Sequence, residues 1–170
     1  AASHDKYDVI MVDAYQDITI PFQMSSTEFF TMVREHLNPG GVMVVNMNMI
    51  SDGQGSINEA LSDTIASVFG NGNTLTADVP NTTNRELFAK KPGSGSEENS
   101  MQQLKALNLR ETTYERTGSE DLEWYMEEVA SRFRKANEPD SASTILTDDK
   151  APVEVLGMHA SIKSSPMRPA

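Results

Sequence analysis

The alternation of apolar and polar positions divides the chain into strand-like and helix-like stretches. Tyr7-Asp8-Val9-Ile10-Met11-Val12 is a short, nearly continuous apolar run with β-branched residues. It predicts a strand buried on both faces, as in a parallel sheet. Asp13 to Ser26 reads as a loop, since Pro21 disfavours helix just before it. Phe29, Phe30, Val33 and Leu37 then recur at helical spacing and predict a helix from about Thr27 to about Leu37. Ser25, Ser26 or Thr27 can cap it, and Ser25 with Glu28 matches a capping box. Asn38-Pro39-Gly40-Gly41 stops the helix and turns the chain into a second buried-type strand, Val42 to Met47.

The polar stretch Asn46 to Ser56 reads as another loop at a strand's carboxyl end. Ile57, Leu61, Ile65 and Phe69 follow at i, i+4 spacing and predict a helix over Ile57 to Phe69. Thr74 to Val79 and Arg85 to Lys90 flank a turn at Pro80 to Asn84 and predict a hairpin. Pro92-Gly93-Ser94-Gly95-Ser96 is the clearest internal break. Beyond it, helices are predicted over Ser100 to Leu107 and within Thr117 to Asn137. The second carries Leu122, Tyr125, Met126, Val129 and Phe133 on one face, with Trp124 anchoring it or covering the sheet. This order predicts an α/β fold, the C-terminal half of a Rossmann-like sheet: parallel strands joined by a right-handed crossover, a closing antiparallel hairpin, and C-terminal helices. Residues 1–91 form the partial Rossmann-like domain, 92–99 a linker, 100–159 a C-terminal helical segment and 160–170 a disordered tail. A chain that opens on a buried-type strand is expected to begin partway through a larger fold. An apolar edge is rarely left bare, so the first strand is expected to pair with a second copy, giving a homodimer, or to lie under the C-terminal helices.

Composition narrows the function classes. A chain of 170 residues suits one domain with a sizeable core. The net charge of −11 argues against a binder that tracks nucleic-acid phosphates. There is no cysteine, which excludes disulfides and thiolate chemistry and suits a cytoplasmic protein. No apolar run approaches membrane-spanning length, so no membrane partner is expected. Asp13 stands at the carboxyl end of the first strand, where open α/β sheets bind ligands. Tyr15 and Gln16 either line a pocket there or simply form the loop. Asn46 and Asn48 end the second strand near the same rim and read as loop hydrogen-bonders. The pair Asp148 and Asp149 has no further ligand at metal-binding spacing and reads as a turn or helix cap; no metal is expected.

YDVIMVDAY, IPFQMSSTEFF, HLNPGGVMVVN and the later ILTDDKAP (Ile145 to Pro152) together resemble the spermidine synthase family of aminopropyltransferases. That family has the class I S-adenosylmethionine-dependent methyltransferase fold. The resemblance implies a transferase of polyamine biosynthesis that moves an aminopropyl group from decarboxylated S-adenosylmethionine to a polyamine or other small amine. It implies that Asp13 takes the proton of the attacking amine, a role a carboxylate suits because it also attracts the cationic substrate. It places Tyr15, Gln16 and Asp17 around the substrate. The family's usual second aspartate falls at Gln16, with Asp17 one residue further on, which departs from the polyamine-specific pattern. The family's glycine-rich loop and ribose-binding acid lie N-terminal to the strand that starts this chain, so no donor-binding residue is assigned and the chain alone is expected to be inactive. A methyltransferase of the same fold, using S-adenosylmethionine itself, and a non-catalytic association domain are the alternative readings.

Overall fold

The computed structural model describes residues 5–13, 20–48, 55–93, 109–136 and 139–150. Five strands form one mixed sheet: β1 (Tyr7–Val12), β2 (Leu37–Asn48), β3 (Thr74–Asp78), β4 (Asn84–Lys90) and β5 (Arg134–Lys135). Their order across the sheet is β1-β2-β4-β3-β5. β1 and β2 run parallel, whereas β2 with β4, β3 with β4 and β3 with β5 run antiparallel. The parallel pair and the closing hairpin are those that the sequence pattern predicts.

Helices α1 (Thr27–His36) and α2 (Ile57–Phe69) follow β1 and β2 in the chain and cover one face of the sheet. Phe30 and Val33 of α1, with Ile57, Leu61, Ile65 and Phe69 of α2, pack on Val12, Met43, Val45, Met47, Leu87 and Ala89. Each of these positions comes from one stripe of a helix or one side of a pleated strand, so a single apolar core results. Ser26 caps α1, its Oγ accepting from the Phe29 N–H at 3.2 Å. The box of Ser25 with Glu28 does not form: Ser25 Oγ donates instead to the Phe22 carbonyl, closing the short 3-10 turn that precedes the helix.

The Pro-Gly-Gly turn is absorbed into β2, which starts at Leu37 and not at Val42. Register slips there, with Tyr7 paired to Leu37 and Val9 already paired to Val42. Gly40 takes φ +82 in the resulting bulge. A Cβ on Gly41 would stand 3.0 to 3.1 Å from the backbone oxygens of Asn38, Asp8 and Tyr7, so any larger residue would press on three backbone groups at once. The bulge is stitched down by Gly40 N–H to the Lys91 carbonyl at 2.9 Å and by Lys91 N–H to the Gly41 carbonyl at 2.8 Å.

Three expectations are corrected. The first strand is not buried on both faces: Tyr7, Val9 and Met11 are 45%, 56% and 76% exposed, because no described element lies over that side. Nor do the described C-terminal helices cover β1. The two described there are α3 (Leu109–Thr117) and α4 (Glu120–Arg132), and α4 leads into β5 at the opposite edge, beside β3. There Phe133 meets Phe88 with ring centroids 5.2 Å apart. The helix predicted within Thr117 to Asn137 is present as α4, and Gly118, at φ +64, separates it from α3. Trp124 neither anchors the helix nor covers the sheet; it is 66% exposed. The helix expected over Ser100 to Leu107 lies outside the described residues. Among the described residues no helix is long and apolar enough to cross a membrane.

The segment 139–150 closes the helix-covered face. Leu146 is fully buried between α1 and α2. Its carbonyl accepts from the Thr27 N–H at 2.9 Å, and its own N–H donates to Thr64 Oγ1 at 2.9 Å. Thr147 to Lys150 then forms a tight turn. Asp148 accepts from Ser26 Oγ, and its backbone N–H donates to Glu28 Oε2 at 3.1 Å. Asp148 is thus part of a turn and of a helix cap, as its sequence setting suggests.

Candidate active site

Asp13 stands immediately after β1, exposed, at the strand's carboxyl end. The parallel register pairs Val12 with Val45, which carries Asp13 to the level of Asn46 on β2. Asn46 Nδ2 donates to Asp13 Oδ1 at 3.2 Å. Asn46 is therefore a direct partner of the candidate residue and not merely a loop hydrogen-bonder. Its other amide atom, Oδ1, is buried without a hydrogen-bond partner among the described residues.

The antiparallel register then sets Asn46 opposite Glu86 of β4. Directly opposed residues project from the same face of a sheet, so Asp13, Asn46 and Glu86 make one row across three strands. Burial raises the pKa of Glu86 above the ordinary carboxylate value, and the negative charge of Asp13 adds to that rise. Two carboxylates that influence one another across a neutral amide attract cations and disfavour anions. The row can therefore receive a protonated amine and can hold or release a proton at Asp13 or Glu86.

The rest of the rim is anchored from below. Ile20, the first described residue after Asp13, is almost fully buried. Asn58 Nδ2 donates to the Asn48 carbonyl at 2.8 Å, tying the start of α2 to the end of β2. Ser56 caps α2 through the Glu59 N–H at 3.1 Å. Asp148 lies at the N-terminus of α1, and its contacts there are with Ser26 and Glu28. Tyr15, Gln16 and Asp17 lie outside the described residues. Among the described residues no group of three or more His, Cys, Asp and Glu is placed to hold a metal ion.

Glu86 is absent from the sequence-based candidates. Within Arg85 to Lys90 it is one polar position in a short strand, and nothing local marks it. Only the pairing of β4 with β2 brings it beside Asn46. The signal that could have found it is the period-two alternation of β4, which places Glu86 and Phe88 on the face opposite Leu87 and Ala89.

No family model matches the chain. Over 161 residues it is 98% identical to a protein described as "Probable polyamine aminopropyl transferase" from Bifidobacterium longum (strain NCC 2705). That match covers 94% of this chain but 36% of the relative, so the chain spans about a third of the relative's length.

Proposed function

We propose that the chain is part of a longer spermidine synthase-like protein, and that this protein transfers an aminopropyl group from decarboxylated S-adenosylmethionine to a small amine, with Asp13 as the proton acceptor. The near-identity to a protein described as a probable polyamine aminopropyl transferase carries this reading. The placement of Asp13 supports it: the residue is exposed at a strand's carboxyl end and oriented by Asn46. The amine nitrogen attacks the methylene carbon next to the sulfonium. A carbon–nitrogen bond forms, the carbon–sulfur bond breaks, and sulfur leaves with the bond's electron pair as a neutral thioether. The proton lost by the nitrogen passes to the Asp13 carboxylate. Asn46 keeps that carboxylate aimed by occupying Oδ1, which leaves Oδ2 for the proton. Tyr15, Gln16 and Asp17, which follow Asp13 in the sequence, complete the substrate's surroundings in this reading. No residue of this chain is assigned to the donor.

The full-length protein with putrescine and decarboxylated S-adenosylmethionine tests the proposal. Asp13→Asn is expected to lower kcat/KM by about 10²- to 10⁴-fold, the usual contribution of a general base. An unchanged kcat/KM would remove Asp13 from the chemistry. Methyl transfer from S-adenosylmethionine, with no aminopropyl transfer, would replace the reaction itself. The absence of cysteine further supports a cytoplasmic setting. The exposed side of β1 is where a second copy or the remainder of the longer protein would pack.

A further inference from the structure

The end of the sheet opposite Asp13 carries the reverse charge. Lys6 precedes β1, Arg34 lies in the last turn of α1, and Lys91 follows β4. The sheet brings these distant positions together: Tyr7 is paired to Leu37, the residue after α1, and Lys91 is bonded to the Gly40–Gly41 bulge. Lys6 Nζ donates to the Glu35 carbonyl at 2.5 Å, and Lys91 Nζ donates to the Leu37 carbonyl at 2.7 Å. Three cations thus gather at the C-terminus of α1. β1 is six residues long, which sets this corner about 20 Å from Asp13. Burial holds the Lys91 ammonium below its ordinary range, and the positive charges of Lys6 and Arg34 push it the same way. The carboxylate of Glu35 opposes them and is the weakest of these influences.

Helix capping accounts for part of this cluster, since cations at a helix C-terminus satisfy its last carbonyls. The two lysines already fill that role. It leaves out Arg34, whose Nε is buried with no hydrogen-bond partner among the described residues. Nor does it exhaust the lysines, because an ammonium has three N–H donors and each carbonyl takes one. Like charges brought together and partly desolvated repel one another, and an anion relieves that repulsion. With a net charge of −11, the molecule as a whole repels a long polyanion, so the corner suits a compact one. Three cations against one carboxylate match a phosphate group of about −2 charge. Neither reactant of the proposed transfer is an anion, so that chemistry does not use this corner. We propose that Lys6, Arg34 and Lys91 form a binding site for a phosphate group, taken as the free ion or as the end of a short phosphate chain.

Calorimetric titration of the full-length protein with inorganic phosphate and with tripolyphosphate, at an ionic strength fixed with sodium chloride, tests it. Neither probe carries a base or a sugar that a nucleoside pocket could hold. Arg34→Gln and Lys91→Gln are each expected to weaken binding about tenfold, as for loss of a charge-assisted hydrogen bond. Lys6→Gln removes an exposed side chain and is expected to weaken binding about threefold, less than the partly buried pair. It carries the test should either of the other variants lose its thermal transition. Lys135→Gln, on β5 at the far edge of the sheet, removes the same charge elsewhere and is expected to stay within about twofold. Phosphate binding as tight as that of tripolyphosphate assigns the site to the free ion. Tighter binding of tripolyphosphate, weakened by the same substitutions, assigns it to a phosphate chain. No heat from either anion, binding that Arg34→Gln, Lys91→Gln and Lys6→Gln leave unchanged, or equal weakening by Lys135→Gln would each overturn the proposal.

Discussion

Along β2 and β4, successive side chains enter two different surroundings. Met43, Val45, Met47, Leu87 and Ala89 face α1 and α2 and are almost completely buried. On the other face, cover is complete only toward β3, where Leu75 and Ala77 are buried and Phe133 lies on Phe88. Toward β1, Val9 and Met11 stand mostly in solvent. Both faces are apolar in sequence, so composition does not separate them. What separates them is whether this chain supplies a partner layer. The closed face follows from helices that its own strands lead into. The open face, which also carries Asp13, Asn46 and Glu86, depends on what else comes to lie against it.

Four substitutions break or sharpen this contrast. Leu61→Ala empties a fully buried site on the closed face and is expected to cost about 3 kcal/mol in urea denaturation of this chain. A loss below about 1 kcal/mol would mean that the α2 contact is not a packed core. Ser26→Ala removes both the α1 cap and the contact to Asp148; about 1 kcal/mol is expected from the same measurement. A smaller effect of opposite sign is expected at Asp63. This residue is 3% exposed on α2, and burial raises its pKa, an effect the Ser143 hydrogen bond partly offsets. The raised folded-state value means that ionisation weakens the fold. That cost is absent below the unfolded value of about 4, grows as pH rises through the raised folded value, and is constant above it. Asp63→Asn is therefore expected to raise the melting temperature at pH 7, and the gain should vanish below about pH 4. A gain that persists in acid would assign it to something other than the carboxylate. The smallest effect belongs to the open face: Met11→Ser is expected to stay within about 0.5 kcal/mol, as for an exposed site. A loss comparable to that of Leu61→Ala would show that this face is covered after all.

The parts legible from sequence are those with local causes. The stripe of α2, the hairpin turn between β3 and β4, and the parallel pairing implied by strand–helix–strand order each follow from residues near in sequence. The polar rim at Asp13 was legible for the same reason, since it ends an apolar run. Three features depend on distant residues and were not. An apolar run such as Tyr7 to Val12 looks the same whether its second face is covered or bare. Glu86 joins the site through the register of two strands joined by α2 and β3. α3 has no apolar stripe to announce it, and the break at Gly118 depends on a backbone angle that an isolated glycine does not declare.

Leu146 bears on the order in which the molecule can be completed. Its backbone bonds Thr64 across a separation of 82 residues, and the turn after it reaches Ser26 across 122. A growing chain presents α1 and α2 long before the segment that joins them has been made. Until residues near 146 emerge, the cleft between the two helices stays open, its apolar lining accessible to chaperones or to other nascent chains. Long-range closures of this kind also slow folding. The vulnerable interval of this fold therefore lasts until the residues near 146 are made, and a stop codon shortly before Leu146 would prolong it indefinitely.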